Sequence, residues 1–268
     1  MSDQRDIASG QPQPQIALTV AYDGAPFAGF ARQPGQITVQ GELERALGTI
    51  LRSDVEIVGA GRTDAGVHAL GQVVSLAETG ATPDDAALLR SINALTGTRI
   101  AVREVRHARA GFSARFDALG REYRYRLVDG PVPPLFLAPV AWWVKPQLDV
   151  GAMRSAAEHL LGEHDFRSFC VAASAEGKPT VRRIDAIELF AEEQLGEESL
   201  VVRVVGNAFL HSMVRTIVGT LIEVGSGRRE PGWVASALAA RERLAAGPTA
   251  PANGLTLWSV AYPPEVWL

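Results

Sequence analysis

The order in which apolar patterning changes its period along the chain constrains the fold more than any single residue. Ile16, Leu18, Val20 and Tyr22 alternate with their neighbours, which predicts a strand ending at Asp23-Gly24. Thr38 is a helix-capping residue type, and Leu43, Leu47, Ile50 and Leu51 beyond it form one stripe at helical spacing. Two strand-like runs follow, Val55, Ile57 and Val58, then Val73, Val74 and Leu76. Thr82-Pro83-Asp84-Asp85 predicts a helix start, with Thr82 as cap and proline first inside. Leu88, Leu89, Ile92 and Leu95 line that helix, and Ile100, Val102 and Val105 begin the next strand. The order so far is β-α-β-β-α-β.

The order then repeats. Tyr123, Tyr125 and Leu127 mark a strand, Asp149 caps a helix to about Leu161, and strands lie near Arg182–Phe190 and Leu200–Val205. A helix around His211–Val224, a further one near Trp233–Ala240 and a last strand from Gly254 to Tyr262 complete the pattern. This predicts a mixed α+β chain of two tandem ferredoxin-like halves, 16–110 and 111–268. Their strands would form one continuous, mainly antiparallel sheet with helices on one face and a central active-site cleft. Residues 1–15, polar with Gln-Pro repeats and no hydrophobic signal segment, read as a disordered tail.

Composition narrows the function classes. With 268 residues, 47% of them hydrophobic, the chain is long enough to bury a core, and no apolar run reaches membrane-spanning length. The single cysteine, Cys170, excludes an internal disulfide and a cysteine-rich zinc site. His159 and His164 stand five apart, off one helical face, so no metal is expected. The protein reads as cytoplasmic and membrane-free. The net charge of −4 argues against a broadly basic surface. Locally, however, Arg99 to Arg126 holds eight arginines (99, 103, 106, 109, 115, 121, 124, 126) against Glu104, Asp117 and Glu122. That segment suits phosphate contact, the other reading being a solvated charged face.

The densest chemistry lies in Gly59-Ala60-Gly61-Arg62-Thr63-Asp64-Ala65-Gly66-Val67-His68-Ala69-Leu70-Gly71, between two predicted strands. A dinucleotide fingerprint needs a glycine where Asp64 stands, with a helix after it, and a P-loop needs Lys-Ser or Lys-Thr after Gly66. Neither is present. What chemistry alone leaves open is a turn in which Asp64 bonds local backbone, or a carboxylate presented at the rim of a sheet.

Arg62 to Ala69, followed by Gly71-Gln72-Val73, closely resembles the active-site motif of tRNA pseudouridine synthases of the TruA family. The resemblance runs from about Ile16 to Pro264. Phe27-Ala28-Gly29-Phe30 with Thr38-Val39-Gln40-Gly41 is similar to the family's first motif, though Phe30 and Ala31 replace its usual tryptophan and glutamine. Phe112-Ser113-Ala114-Arg115 and Arg121-Glu122-Tyr123-Arg124-Tyr125 resemble the segment bearing its active-site tyrosine. Asn207 to Arg215 resembles the third motif, with Ser212 where histidine or glutamine is common, and Gly254-Leu255-Thr256-Leu257 the C-terminal strand.

The resemblance implies Asp64 as the catalytic residue, Tyr123 as the tyrosine, Arg215 as the partner of Asp64, and Leu255 beneath the target base. It also implies a homodimer acting on uridines 38, 39 and 40 of the tRNA anticodon stem-loop. Isomerisation breaks a C–N glycosidic bond and rejoins the uracil through carbon without redox change or external reactant, so no cofactor is expected. One carboxylate serves as nucleophile at the sugar or as base at the 2′ proton. A cation within hydrogen-bonding reach favours the ionised carboxylate. The target base must leave its stack, and Arg62, two residues before Asp64, is placed to fill the gap. Arg115, Arg121 and Arg124 are the candidate RNA-binding patch. Two rivals are a non-catalytic RNA-binding protein on the same scaffold and a glycoside hydrolase. The latter ordinarily needs two carboxylates, and the motif holds one acid.

Overall fold

The computed structural model describes residues 14–80 and 82–268. The expected tail lies outside these except for Pro14 and Gln15, and β1 (Gln15–Tyr22) opens at Gln15. After it come α1 (Val39–Leu51), β2 (Val58–Gly59), β3 (His68–Ala77), α2 (Asp85–Thr96) and β4 (Ile100–Ala108). The second series is β5 (Gly120–Asp129), β6 (Trp142–Val144), α3 (Val150–Glu158), β7 (Gly162–Asp165), the short α4 (Ala172–Ala175), β8 (Val181–Gln194), β9 (Glu197–Gly206), α5 (Met213–Gly225), α6 (Trp233–Ala240) and β10 (Leu255–Ala261). Among the described residues no helix is long and apolar enough to cross a membrane.

Caps start the helices where the chain supplies an oxygen. Thr38 Oγ1 accepts from Gly41 N, and Asp149 Oδ1 accepts from Ala152 N. For α2 the cap is Asp84, whose Oδ1 accepts from Ala87 N, and not the expected Thr82. The Thr82 hydroxyl is turned instead to Thr79 N. Both residues are capping types, and the threonine's local turn leaves the role to the aspartate.

One sheet runs β4-β1-β3-β10-β5-β9-β8-β7, with β2 on β3 and β6 on β5. All its pairs are antiparallel except β10 on β3 and β6 on β5. Within each half the four strands of the repeat stand in the order fourth, first, third, second: β4-β1-β3-β2 and β10-β5-β9-β8. In the first half β2 has only two residues, set against Ser75 and Val74, which leaves the other end of β3 free. There β10 docks in parallel, Thr256 on His68 and Leu257 on Ala69, and joins the halves. Just beyond, a Cβ on Gly71 would lie 2.4 Å from the Trp258 carbonyl oxygen, so this seam admits no side chain.

Strand alternation assigns the two faces. Ile16, Leu18, Val20, Tyr123, Tyr125, Leu127, Val202 and Val204 turn to one side, where they pack with α1, α2, α3, α5 and α6 in a single buried cluster. On the other side Ala17, Val73, Ala108, Phe112, Ala114 and Val266 form a smaller one. Buried α5 carries the centre, and the segment from Gly247 to Ala250 lies directly on it. Gly247 N donates to Thr220 Oγ1, and Ala250 N to the Arg215 carbonyl.

A Cβ on Gly219 would stand 1.8 Å from the Pro248 carbonyl oxygen, a backbone atom with no room to yield. Gly219→Ala is expected to lower stability by about 1–3 kcal/mol, the usual penalty for overpacking, read as a lower urea midpoint at unchanged slope.

Candidate active site

The Asp64 loop is built by backbone contacts before any catalytic group is considered. Phe30 N donates to the Thr63 carbonyl, Ala60 N to Val73 O, and Val67 N to Asp64 O. The Tyr22 and Thr63 hydroxyls share a 2.8 Å hydrogen bond, and Gln72 Nε2 donates to Gly61 O. His68 receives the Gly24 N–H on Nδ1, and burial lowers the pKa of its imidazole. These contacts fix the residues on both sides of Asp64 while leaving its side chain to the second half.

That half answers from the start of α5. Arg215 Nη1 donates to Asp64 Oδ2 at 2.8 Å, and Ser212 Oγ donates to the same oxygen at 2.7 Å. His211 Nε2 stands 3.4 Å from Oδ1. The Asp64 and Arg215 side chains are each 19% exposed, whereas His211 is half exposed at 51%. Arg215 is itself held, because its Nε donates to the Ala250 carbonyl at 2.8 Å. The helix N-terminus adds a favourable potential for the carboxylate. Ser212 and His211 are the contributions that the sequence reading did not assign. The signal available was their position immediately before a helix that also carries Arg215.

Tyr123 is buried, its ring 5.2 Å from that of Phe209 in an edge-on arrangement. A Cβ on Gly61 would lie 3.7 Å from its hydroxyl, which places that hydroxyl beside the Asp64 loop. Burial pushes the Tyr123 phenol well above the usual range, with Tyr22 adding to the shift, Arg121 opposing it and Asp64 adding a smaller part. Leu255 is buried on β10, level with Tyr125 across the β10–β5 pair. Tyr125 donates to Pro251 O at 2.8 Å and packs against Gly254. Arg62 is exposed, and among the described residues it has no hydrogen bond or ion pair.

The three arginines expected to form one patch do not share a surface. Arg121 and Arg124 stand three apart on the regular strand β5 and so project to opposite faces. Arg121 donates to four backbone carbonyls, those of Asn207, Ala60, Arg115 and Ala118, and thereby ties the start of the Asp64 loop to the end of β9. Arg124 stacks 3.7 Å over Trp258 and donates to Glu122. Among the described residues only Arg115 of the three keeps an exposed guanidinium without a hydrogen bond or ion pair, 5.2 Å from the Phe116 ring. Proximity in sequence overstated the patch because strand alternation divides it.

Known proteins resemble the chain over most of its length. A family model described as tRNA pseudouridine synthase matches residues 18–117 and 156–263. A curated relative from Brevibacillus brevis, named tRNA pseudouridine synthase A, is 45% identical over 248 residues, 92% of this chain and 99% of that protein. Relatives of the same name from Frankia casuarinae and Bacillus subtilis are 44% and 42% identical, covering 94% and 92% of this chain and 90% and 99% of theirs.

All four tyrosines titrate above the ordinary phenol: burial pushes Tyr22 up to about 12 and carries Tyr123, Tyr125 and Tyr262 higher still. An alkaline absorbance titration is expected to show almost no phenolate in the folded protein near pH 10, and ionisation of about half the tyrosines when the chain is unfolded at the same pH. A raised folded pKa means that the unfolded chain loses its phenol protons first. Stability from this source is therefore complete below about pH 10 and declines above it.

Proposed function

Because the chain belongs to the tRNA pseudouridine synthase family, we propose that it isomerises uridine to pseudouridine at positions 38, 39 and 40 of the anticodon stem-loop, with Asp64 as its catalytic residue. The observation that carries the reading is the Asp64 carboxylate, held by Arg215 and Ser212 yet partly open to solvent. It acts by adding to C1′ as the C1′–N1 bond breaks, or by taking the 2′ proton as N1 departs with the bonding pair. The uracil turns and bonds through C5, C5 loses its proton and N1 takes one up, so the net change is an isomerisation.

The remaining groups have roles that follow from their surroundings. Tyr123 stacks on the extruded uracil and presents a neutral hydroxyl, and Leu255 forms the floor below it. Arg62 enters the gap that the flipped nucleotide leaves, a role that suits an exposed cation without a partner among the described residues. Arg115 contacts phosphate. The halves 16–110 and 111–268 act as one unit, and a homodimer in the cytoplasm receives one RNA across both subunits. Stem-loop recognition is by shape and phosphate rather than by base reading, which is compatible with the net charge of −4.

The test is tritium release from unmodified tRNA carrying 5-³H-uridine, with the modified positions mapped by mass spectrometry. Wild type is expected to release tritium and to place pseudouridine at 38, 39 and 40. Folded Asp64→Asn, which keeps the shape and removes the charge, is expected to release none. Binding without release by wild type would identify a non-catalytic RNA-binding protein, and free uracil in solution a glycosidase. Arg62→Ala is expected to slow release roughly 10- to 100-fold, the equivalent of losing about 1.4 to 3 kcal/mol of help in base extrusion, with no change in the unfolding midpoint.

A further inference from the structure

The two oxygens of Asp64 are treated differently. Oδ2 accepts from Ser212 Oγ at 2.7 Å and from Arg215 Nη1 at 2.8 Å. Oδ1 accepts no hydrogen bond among the described residues and faces His211 Nε2 at 3.4 Å. Ser212 is the N-cap residue of α5, a position where a serine oxygen ordinarily accepts from a backbone N–H two or three residues on. Here it makes no such bond, and its hydroxyl turns away from its own helix to Asp64.

Its backbone is also unusual. Ser212 has φ 59° and ψ 14°, a left-handed conformation that residues with a Cβ rarely adopt and glycine adopts freely. A side chain that neither caps its helix nor suits its backbone is not explained by the stability of α5. Strain of this kind gathers at functional sites.

We propose that Ser212 is a positioning residue for the isomerisation: with Arg215 it pins Oδ2 and so assigns Oδ1 as the reacting oxygen. This rests on the reading of Asp64 given above. Arg215 alone reaches Asp64 through one nitrogen, its Nε being held by Ala250 O, and a carboxylate held at one point pivots about that contact. A second donor on the same oxygen, arriving from another residue, removes the pivot and fixes the direction of the Oδ1 lone pairs. Both chemical paths need that direction. On one, Oδ1 bonds to C1′ while the C1′–N1 pair leaves on uracil. On the other, Oδ1 takes the 2′ proton, the C–H pair becomes the C1′=C2′ bond, and N1 departs with its pair.

Three substitutions separate this role from a structural one. Ser212→Ala removes the hydroxyl, and Ser212→Gly removes it and relieves the backbone. Ser212→Asn restores a donor on a residue type that tolerates the left-handed region. Single-turnover tritium release at saturating tRNA is measured for each beside wild type and Asp64→Asn, with tRNA binding by filter retention and thermal unfolding. The Ala and Gly variants are expected to release roughly 10- to 100-fold more slowly, the scale of one hydrogen bond to a charged group. Their tRNA affinity is expected to stay within about twofold of wild type, since the contact does not hold the ligand. Ser212→Asn is expected to recover part of the rate, and Ser212→Gly to melt at or above the wild-type temperature.

Slower chemistry in a protein at least as stable is the combination that a merely structural serine does not produce. Ala and Gly variants that react at the wild-type rate, beside an inactive Asp64→Asn, overturn the role of Ser212 and leave that of Asp64 standing. Losses confined to binding, or that follow a fall in melting temperature, overturn it as well. Release that persists in Asp64→Asn removes the reading of Asp64 on which the inference rests.

Discussion

An ion pair between residues 151 apart in sequence, Asp64 and Arg215, joins the loop before β3 to the first turn of α5. Both side chains are mostly withdrawn from water, and a pair in that position is favourable only when its remaining donors and acceptors are also met. The structure meets them in sequence: Ser212 adds a donor to Asp64, and Arg215 exchanges bonds with Ala250 through its Nε and its carbonyl. The segment bearing Ala250 is tied in turn to Thr220 by Gly247. Arg121 binds the loop from its other side at Ala60. The site is therefore a property of the joined halves, and the short β3–β10 pairing sets the separation across which this pair must reach.

Much of this was legible because apolar periodicity is a statement about burial. Every long strand and helix corresponds to a run of alternating or helically spaced apolar residues, and the repeated element order points to one continuous sheet. What escaped was short or polar. β7, Gly162-Glu163-His164-Asp165, is an edge strand with no apolar face, and β6 has three residues. The cap of α2 moved from Thr82 to Asp84 because two capping residues competed within one turn. At the site, the resemblance singles out Asp64 and Arg215, whereas Ser212 stands in the sequence only as a departure from the third motif, and its bond to Asp64 is visible only in the structure.

The arginine-rich segment shows why charge counted along a sequence is a weak guide to charge on a surface. Arg99 pairs with Asp23, Arg109 with Asp117, Arg124 with Glu122 and Arg126 with Glu192, while Arg103 and Arg121 reach carbonyls and Arg106 lies over Trp267. Most of these cations organise the protein itself, cross-linking the sheet to the loops around it. Within the arginine-rich segment Arg115 is left for a partner, and Arg62, two residues before Asp64, is another exposed guanidinium with no hydrogen bond or ion pair among the described residues. An acidic chain can thus hold a polyanion by a few placed cations rather than by a general field.

The protonation of Tyr123 bears on how one carboxylate could complete the proposed reaction. Burial raises the pKa of its phenol, so near neutral pH the hydroxyl is a hydrogen-bond donor and a poor source or acceptor of protons. The proton lost from C5 must then go to another acceptor. On the addition path the carboxylate is esterified until the new carbon–carbon bond forms and the ester has opened. On the elimination path it carries the 2′ proton until that proton returns to the sugar. By either route Asp64 is again a free anion at the stage when C5 must lose its hydrogen, with Oδ1 still unencumbered and His211 Nε2 beside it. The order of bond changes lets a single carboxylate serve twice, which removes the need for the second acid that a hydrolytic mechanism would require.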